Sequence, residues 1–241
     1  TPQRIERLNA LVDTTTPKNF DTTPYLMRIM FQQWFSKFST SPAVFILFMA
    51  VLCLIYLIRI TREEFVLFST GCMTMGSEIL VIFAFQIFFG YIYFQIGVII
   101  TIFLAGLLPG AAFGRRLSGR SKHLLPMADG LLIALMAIFI LAMAFIGERL
   151  PVLFFLAFGF LISLICGFQF PVVLRLCGDD NPAATRFFSA DLIGAACGAL
   201  FTSIVLIPYF GLLQAAAVFI GLKLLSIIIG VTHEKNIATS L

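Results

Sequence analysis

The sequence predicts an all-α, polytopic transmembrane bundle of about seven spans, with a short amphipathic N-terminal segment, and three observations carry that prediction. Apolar residues make up 60% of the chain and charged residues only 12%, where a soluble domain would carry about a quarter charged. The mean hydropathy is +1.04. The apolar residues are gathered into runs close to the roughly 20 that a helix needs to cross about 30 Å of hydrocarbon. Backbone polar groups cannot stay unpaired in lipid, so such runs are helices or barrel strands, and the polar-apolar alternation of barrel strands is absent.

Residues 1–42 have ordinary soluble polarity, with Arg4, Glu6, Arg7, Asp13, Lys18, Asp21, Arg28 and Lys37 among them. From Pro24 to Phe38 the apolar residues Tyr25, Leu26, Ile29, Met30, Trp34, Phe35 and Phe38 recur at helical spacing, with Arg28, Gln32, Gln33 and Lys37 between them. That pattern predicts an amphipathic helix in the headgroup layer, with Trp34 as its anchor. The opening Thr-Pro-Gln-Arg is neither a start methionine nor a signal peptide, so the chain reads as part of a longer polypeptide or as a processed product.

Residues 43–231 hold the seven spans: Ala43 to Ile60, Phe65 to Phe89, Tyr93 to Gly114, Pro126 to Gly147, Pro151 to Leu174, Ala183 to Pro208 and Leu212 to Val231. Short connections such as Gly90 to Ile92 and Tyr209 to Gly211 make neighbours antiparallel. Residues 232–241 form a polar C-terminal tail. With seven crossings, one side holds Arg59, Arg62, Arg115, Arg116, Arg120, Lys122, Arg175, Arg186 and Lys235, while the short loops of the other hold Arg149 alone. The positive-inside rule puts the basic side in the cytoplasm and the N-terminal tail outside. The tail's own five basic residues pull the other way.

Two acids stand out. Glu78 is the only charged residue between Glu64 and Arg115 and lies midway along the second span. An acid at that depth costs about 2.5 to 3.5 kcal/mol even on insertion scales, so it should face protein or a wet cavity. Thr70, Thr74, Ser77 and Gln86 are polar groups on the same helix, and Glu78, Thr74 and Gln86 are candidates for an intramembrane polar or ion-binding site. Asp191, in "SADLIGAACGALFTS", is the only charge between Arg186 and Lys223. It is a candidate for the same site, for a helix cap, or for a pair with Arg186. Either acid can serve as a clasp between helices or as a proton-linked or cation-binding group, and a Glu78–Asp191 pair is a further arrangement.

Small residues mark close helix crossings. Gly106, Gly110 and Gly114 fall at four-residue steps, and Gly194 and Gly198 form a second such step. Arg115, Arg116, Arg120 and Lys122 follow the first stripe as a headgroup-binding loop, which also resembles, without its acidic residue, the glycine and arginine loop of major facilitator transporters. Five cysteines, none in a C-x-x-C pair, read as packing residues. The only histidines, His123 and His233, lie outside the spans, which argues against haem. No metal-ligand spacing, phosphate loop or dinucleotide fingerprint occurs, and no basic face suits nucleic acid. The residues thus predict no cofactor, no metal and no catalytic apparatus in this chain.

One family likeness spans roughly residues 17–222. "KNFDTTPYLMRIMFQQWFSKF", with Asn19, Asp21, Pro24, Tyr25 and Trp34, resembles the segment that follows the catalytic domain in bacterial membrane-bound relatives of spermidine synthase, the polyamine aminopropyltransferases. "FSTGCMTMGSEIL" is similar to that family's run of small residues leading to a glutamate, here Glu78. "FLAGLLPGAAFGRR" resembles its glycine-rich helix end, and "ADLIGAACGALFTSIVLIPYFGL" its aspartate and glycine helix, with Asp191, Gly194, Gly198, Pro208 and Gly211 matching. The resemblance implies a bacterial inner-membrane protein. It also implies that any aminopropyl transfer belongs to a Rossmann-like domain upstream of Thr1. A polyamine-making domain belongs in the cytoplasm, whereas the loop count places the tail outside, so either that domain has another task or the span count is off by one.

Two functions follow as expectations. One is a non-catalytic membrane module that anchors or scaffolds an upstream soluble domain or partner subunits in the bilayer. The other is a transporter or channel half for a polyamine or other cation, marked by a helix broken near Gly71 and Gly76, just before Glu78.

Overall fold

A computed structural model describes residues 25–37, 41–90, 93–117, 123–176 and 181–238. Residues 1–24, Arg120, Lys122 and Cys177 lie outside the described residues. Every described element is helical. The amphipathic segment is α1 (Tyr25–Lys37), followed by α2 (Pro42–Arg59), α3 (Arg62–Phe89), α4 (Tyr93–Leu117) and α5 (Leu124–Phe145). A single 3-10 turn, Gly147–Arg149, leads to α6 (Val152–Leu176), and α7 (Asn181–Phe201) runs on as a π-helical segment, Thr202–Phe210, before α8 (Leu212–Ala238).

Six helices, α3 to α8, are long and apolar enough to cross a membrane. The first predicted span corresponds to α2, whose 18 residues reach about 27 Å at 1.5 Å per residue. Its apolar side chains, among them Leu47, Phe48, Leu54 and Ile58, are largely exposed, as a lipid-facing helix requires. The chain is an integral membrane protein of multi-pass helical type.

Local signals set the helix ends. α3 starts with a capping box: the Thr61 side chain accepts from the Glu64 amide at 3.4 Å while the Thr61 amide donates to Glu64 Oε2 at 2.8 Å, so two orphan donors of the first turn are satisfied. It stops at Gly90, whose φ of 70° closes the helix by an N–H donated to the Gln86 carbonyl, a conformation that costs glycine little. α3 runs without a break through Gly71 and Gly76. The irregularity falls instead in the last third of the α7 span, where Pro208 lacks the amide that an α-turn would use and the chain is wound as a π-segment.

The main core joins α3, α4, α5, α6 and α8 through Phe85, Phe103, Phe139, Phe155, Leu80 and Phe219. Phe139 stacks on Phe158 at 4.5 Å between centroids, and Phe155 meets Phe85 edge-on at 5.5 Å. A smaller core seats Tyr56 and Leu57 of α2 on Phe68, Cys72 and Cys197. α1 rests on the far end of the π-segment, where the Arg28 guanidinium lies 5.4 Å from the Tyr209 ring centroid. Trp34 is exposed on α1 and Phe35 is buried.

Two helix pairs lie close enough for backbone to meet backbone. On α4, a Cβ added at Gly106, Gly110 or Gly114 would collide with the carbonyl oxygens of Phe160, Leu164 and Phe168 on α6. On α7, Gly194 and Gly198 meet the carbonyls of Phe68 and Cys72 on α3, and Gly71 of α3 meets the Asp191 carbonyl. Without a hydrophobic driving force between helices in lipid, such close approach supplies dispersion contact along the whole crossing.

Candidate functional site

Among the described residues, buried polar side chains gather in a cluster that joins four helices. Lys223 of α8 is 0% exposed. Its ammonium lies 2.8 Å from Asp129 Oδ1 on α5, 2.9 Å from Thr70 Oγ1 and 3.3 Å from Ser69 Oγ on α3, and 3.2 Å from Gln169 Oε1 on α6. Three N–H donors thus face four oxygens. Asp129 is as well supplied: Oδ1 also accepts from Gln169 Nε2 at 2.6 Å and Oδ2 accepts from the Ser226 hydroxyl at 2.8 Å. Gln169 is held in turn by the Thr70 hydroxyl.

The local sequence explains why each group can be there. Asp129 sits five residues after the start of α5 and Gln169 seven before the end of α6, while Thr70 is eight after the start of α3. These are the helix ends that carry Arg62, Arg115, Arg116 and Arg175, so the cluster lies about 8–12 Å in from the basic side at 1.5 Å per residue. Lys223 reaches it from α8 on a four-carbon stem. Its neighbours Ala215, Ala216 and Phe219 line the same buried face one to two turns earlier, and Ser226 follows one turn later. A charged residue at such depth costs several kcal/mol alone, and the pair is tolerable because each charge neutralises the other and each of their charged atoms also has a polar partner.

Glu78 is buried, at 8% exposure, and forms no hydrogen bond or ion pair among the described residues. The polar groups that share its helix turn back on their own backbone: Thr74 donates to the Thr70 carbonyl and Ser77 to that of Met73. Gln86 is exposed near the end of α3. Neither Thr74, Ser77 nor Gln86 therefore gathers round Glu78. Asp191 is half-buried on α7, with its carbonyl against Gly71.

Two pairings expected of Asp191 are not formed. Arg186 pairs with Glu64 of α3 at 2.7 Å. It does so because the parallel packing of α3 on α7 sets their first turns side by side, and Glu64, fixed by its capping box, already points across the seam. The two acids do not meet: Gly71, not Glu78, is the α3 residue that lies against Asp191. Among the headgroup candidates, Arg115 and Arg116 are exposed at the end of α4. The Thr202 hydroxyl, fully buried at the start of the π-segment, has no hydrogen-bond partner among the described residues.

The cluster was missed in the sequence because Asp129 stands just inside the fourth span and Lys223 was counted only as the far limit of an uncharged stretch. The available signal was their opposite sign. Two lone charges in separate spans each cost too much unless they meet.

Chemically, the arrangement is a ring of carboxylate, hydroxyl and amide oxygens around one ammonium. It can hold a cation, and Lys223 is the cation it holds here. The chain matches no protein-family model, no curated protein and no solved structure.

Proposed function

We propose that this chain is a membrane carrier module for a small cation, and that Asp129 and Lys223 are the residues through which it works. The observation that supports the reading is the Lys223 ammonium itself, fully buried and ringed by oxygens from α3, α5 and α6. Ionisable groups inside a bundle pair with one another or face a wet cavity and commonly mark ion or substrate paths. The oxygens that bind an ammonium here are those that an alkylammonium or an alkali cation would use. A carrier built this way lets a cation compete with Lys223 for Asp129, which couples entry of the one to displacement of the other.

The anchoring role remains the rival, and it asks of the cluster only that it hold four helices together. A polyamine link and an upstream aminopropyltransferase domain rest on the family resemblance; both belong to the same proposal. Proteoliposomes holding the purified chain separate the two functions. The carrier reading expects saturable uptake of labelled putrescine or labelled rubidium, lost in Asp129→Asn and Lys223→Met and kept in Glu78→Gln. Uptake no greater than in protein-free liposomes would leave the anchor.

A further inference from the structure

We infer that α3–α5 and α6–α8 are two copies of one three-helix unit in opposite orientations, and that exchange of their conformations opens the Lys223 cluster, buried from both faces in the state described, to one membrane face and then the other, with the Glu64–Arg186 ion pair holding the basic end closed. The use of the exchange rests on the carrier reading; the duplication stands on geometry and sequence.

Helix pairing gives the first argument. α3 packs along α7, α4 along α6, α5 against α8 and α3 against α6, with lesser seams between α3 and α8 and between α5 and α6. Replacing α3 by α6, α4 by α7 and α5 by α8, and the reverse, returns these same six pairs, while the seam of the π-segment with α8 has no counterpart of similar extent between α4 and α5. Because each unit has three spans, the second copy enters the bilayer upside down, the arrangement on which many carriers are built.

Residue register gives the second. Gly194 meets Phe68 as Gly110 meets Leu164; Gly198 meets Cys72 as Gly114 meets Phe168; and Gly71 meets Asp191 as Gly167 meets Leu107. In all three comparisons the α3 residue and its α6 counterpart are 96 apart (68 and 164, 72 and 168, 71 and 167). In all three the α4 residue and its α7 counterpart are 84 apart (110 and 194, 114 and 198, 107 and 191). All three contacts share one pair of offsets. The same offset of 84 aligns TIFLAGLLPGAAFG, residues 101–114, with TRFFSADLIGAACG, residues 185–198, and seven of the fourteen positions are identical: Thr, Phe, Leu, Gly, Ala, Ala and Gly. On α5 and α8, the buried positions 128, 129, 132, 136 and 139 recur 87 residues later at 215, 216, 219, 223 and 226.

The side chains break this symmetry, and they break it where function would. Thr70, Gln169 and Lys223 correspond by these offsets to Cys166, Met73 and Met136, all buried and without charge. The cation ring therefore occupies one of two related places, the one nearer the basic side. The Glu64–Arg186 pair, at 2.7 Å, likewise corresponds to Phe160 and Ile102 at the opposite end of the α4–α6 seam. Two copies of one backbone unit allow two arrangements of comparable packing, in which the seams trade roles. What decides between them is the differential side-chain contact, which the Lys223 cluster and this ion pair supply in one arrangement only.

The test uses the full chain in proteoliposomes with Ser226→Cys as a reporter, read by mass spectrometry so that the native cysteines are scored separately. A membrane-impermeant thiol reagent is applied from one face or the other. Linking Glu64→Cys to Arg186→Cys with a short bifunctional thiol reagent is expected to confine reporter labelling to the face opposite the basic loops. Linking Ile102→Cys to Phe160→Cys is expected to confine it to the basic face, and the unlinked protein is expected to label from both. Labelling from the same face with both links, or from neither face without a link, would overturn the inference. Absence of uptake by the parent chain, with the opposite-face labelling pattern intact in the reporter protein, would retire the carrier reading and leave the two-state duplication standing.

Discussion

Replacing Lys223 by methionine is the sharpest probe of what the buried cluster contributes. The side chain keeps nearly its length and apolar stem, so the buried volume stays filled while the ammonium goes. Asp129 then loses its contact at 2.8 Å and keeps only the neutral donors Gln169 Nε2 and the Ser226 hydroxyl. Thr70 and Gln169 each lose a donor as well. Truncating one member of a buried ion pair typically costs about 3–5 kcal/mol, because the other is left uncompensated. Asp129→Leu should cost about as much, since it strands the ammonium. The double variant removes both charges together and should lie within about 2 kcal/mol of the parent, as paired replacement by apolar residues often does. Reversible unfolding in mixed micelles measures all four proteins, and the cycle should return a coupling of about 3 kcal/mol or more. Single losses under about 1 kcal/mol, or a double variant that is simply additive, would refute the idea that the two groups meet in a dry interior.

Other consequences are equally concrete. Gly194→Ala and Gly110→Ala would each drive a methyl into a partner-helix carbonyl and should lower stability by about 1–3 kcal/mol. Gly97→Ala, Gly130→Ala and Gly221→Ala meet open space and should be neutral or up to about 1 kcal/mol stabilising, since alanine is the better helix former; thermal unfolding in detergent compares the two sets. Glu64→Gln can keep the capping box, and because the Arg186 side chain is 61% exposed the lost charge pair should cost under about 1 kcal/mol. Glu64→Ala loses the cap as well and should cost about 1–2 kcal/mol. Glu78→Gln, which breaks no observed bond, should change unfolding by less than about 1 kcal/mol.

How far the sequence could be read depended on whether the informative signal was local. Span positions follow from apolar run length and were legible to within a few residues: the second span, expected to end at Phe89, does so because Gly90 takes a left-handed φ. Glu78 and Asp191 drew attention as isolated acids, and both are at least half-buried. Which groups meet is not local. Lys223 lies 94 residues from Asp129, and no periodicity of either helix announces the other. Arg186 was read against its near neighbour Asp191, whereas parallel packing of α3 on α7 brings it to Glu64, more than a hundred residues away in the chain. The irregular helix was expected beside two glycines in α3. Those glycines serve close packing against Asp191 and the Phe219 ring instead, while Pro208 sets the irregularity in α7. The internal repeat stood in plain view in two stretches, LPGAAFG and LIGAACG, each noted for its own glycines. Their kinship becomes compelling only when the contacts of both are laid side by side.

The central claim, that the Asp129–Lys223 cluster carries a cation, meets its most direct test in counterflow. Proteoliposomes loaded with unlabelled putrescine and diluted into trace labelled putrescine should accumulate label transiently above equilibrium, and Asp129→Asn should abolish the overshoot. Time courses indistinguishable from those of protein-free liposomes, for the parent chain with its cluster intact, would contradict the account.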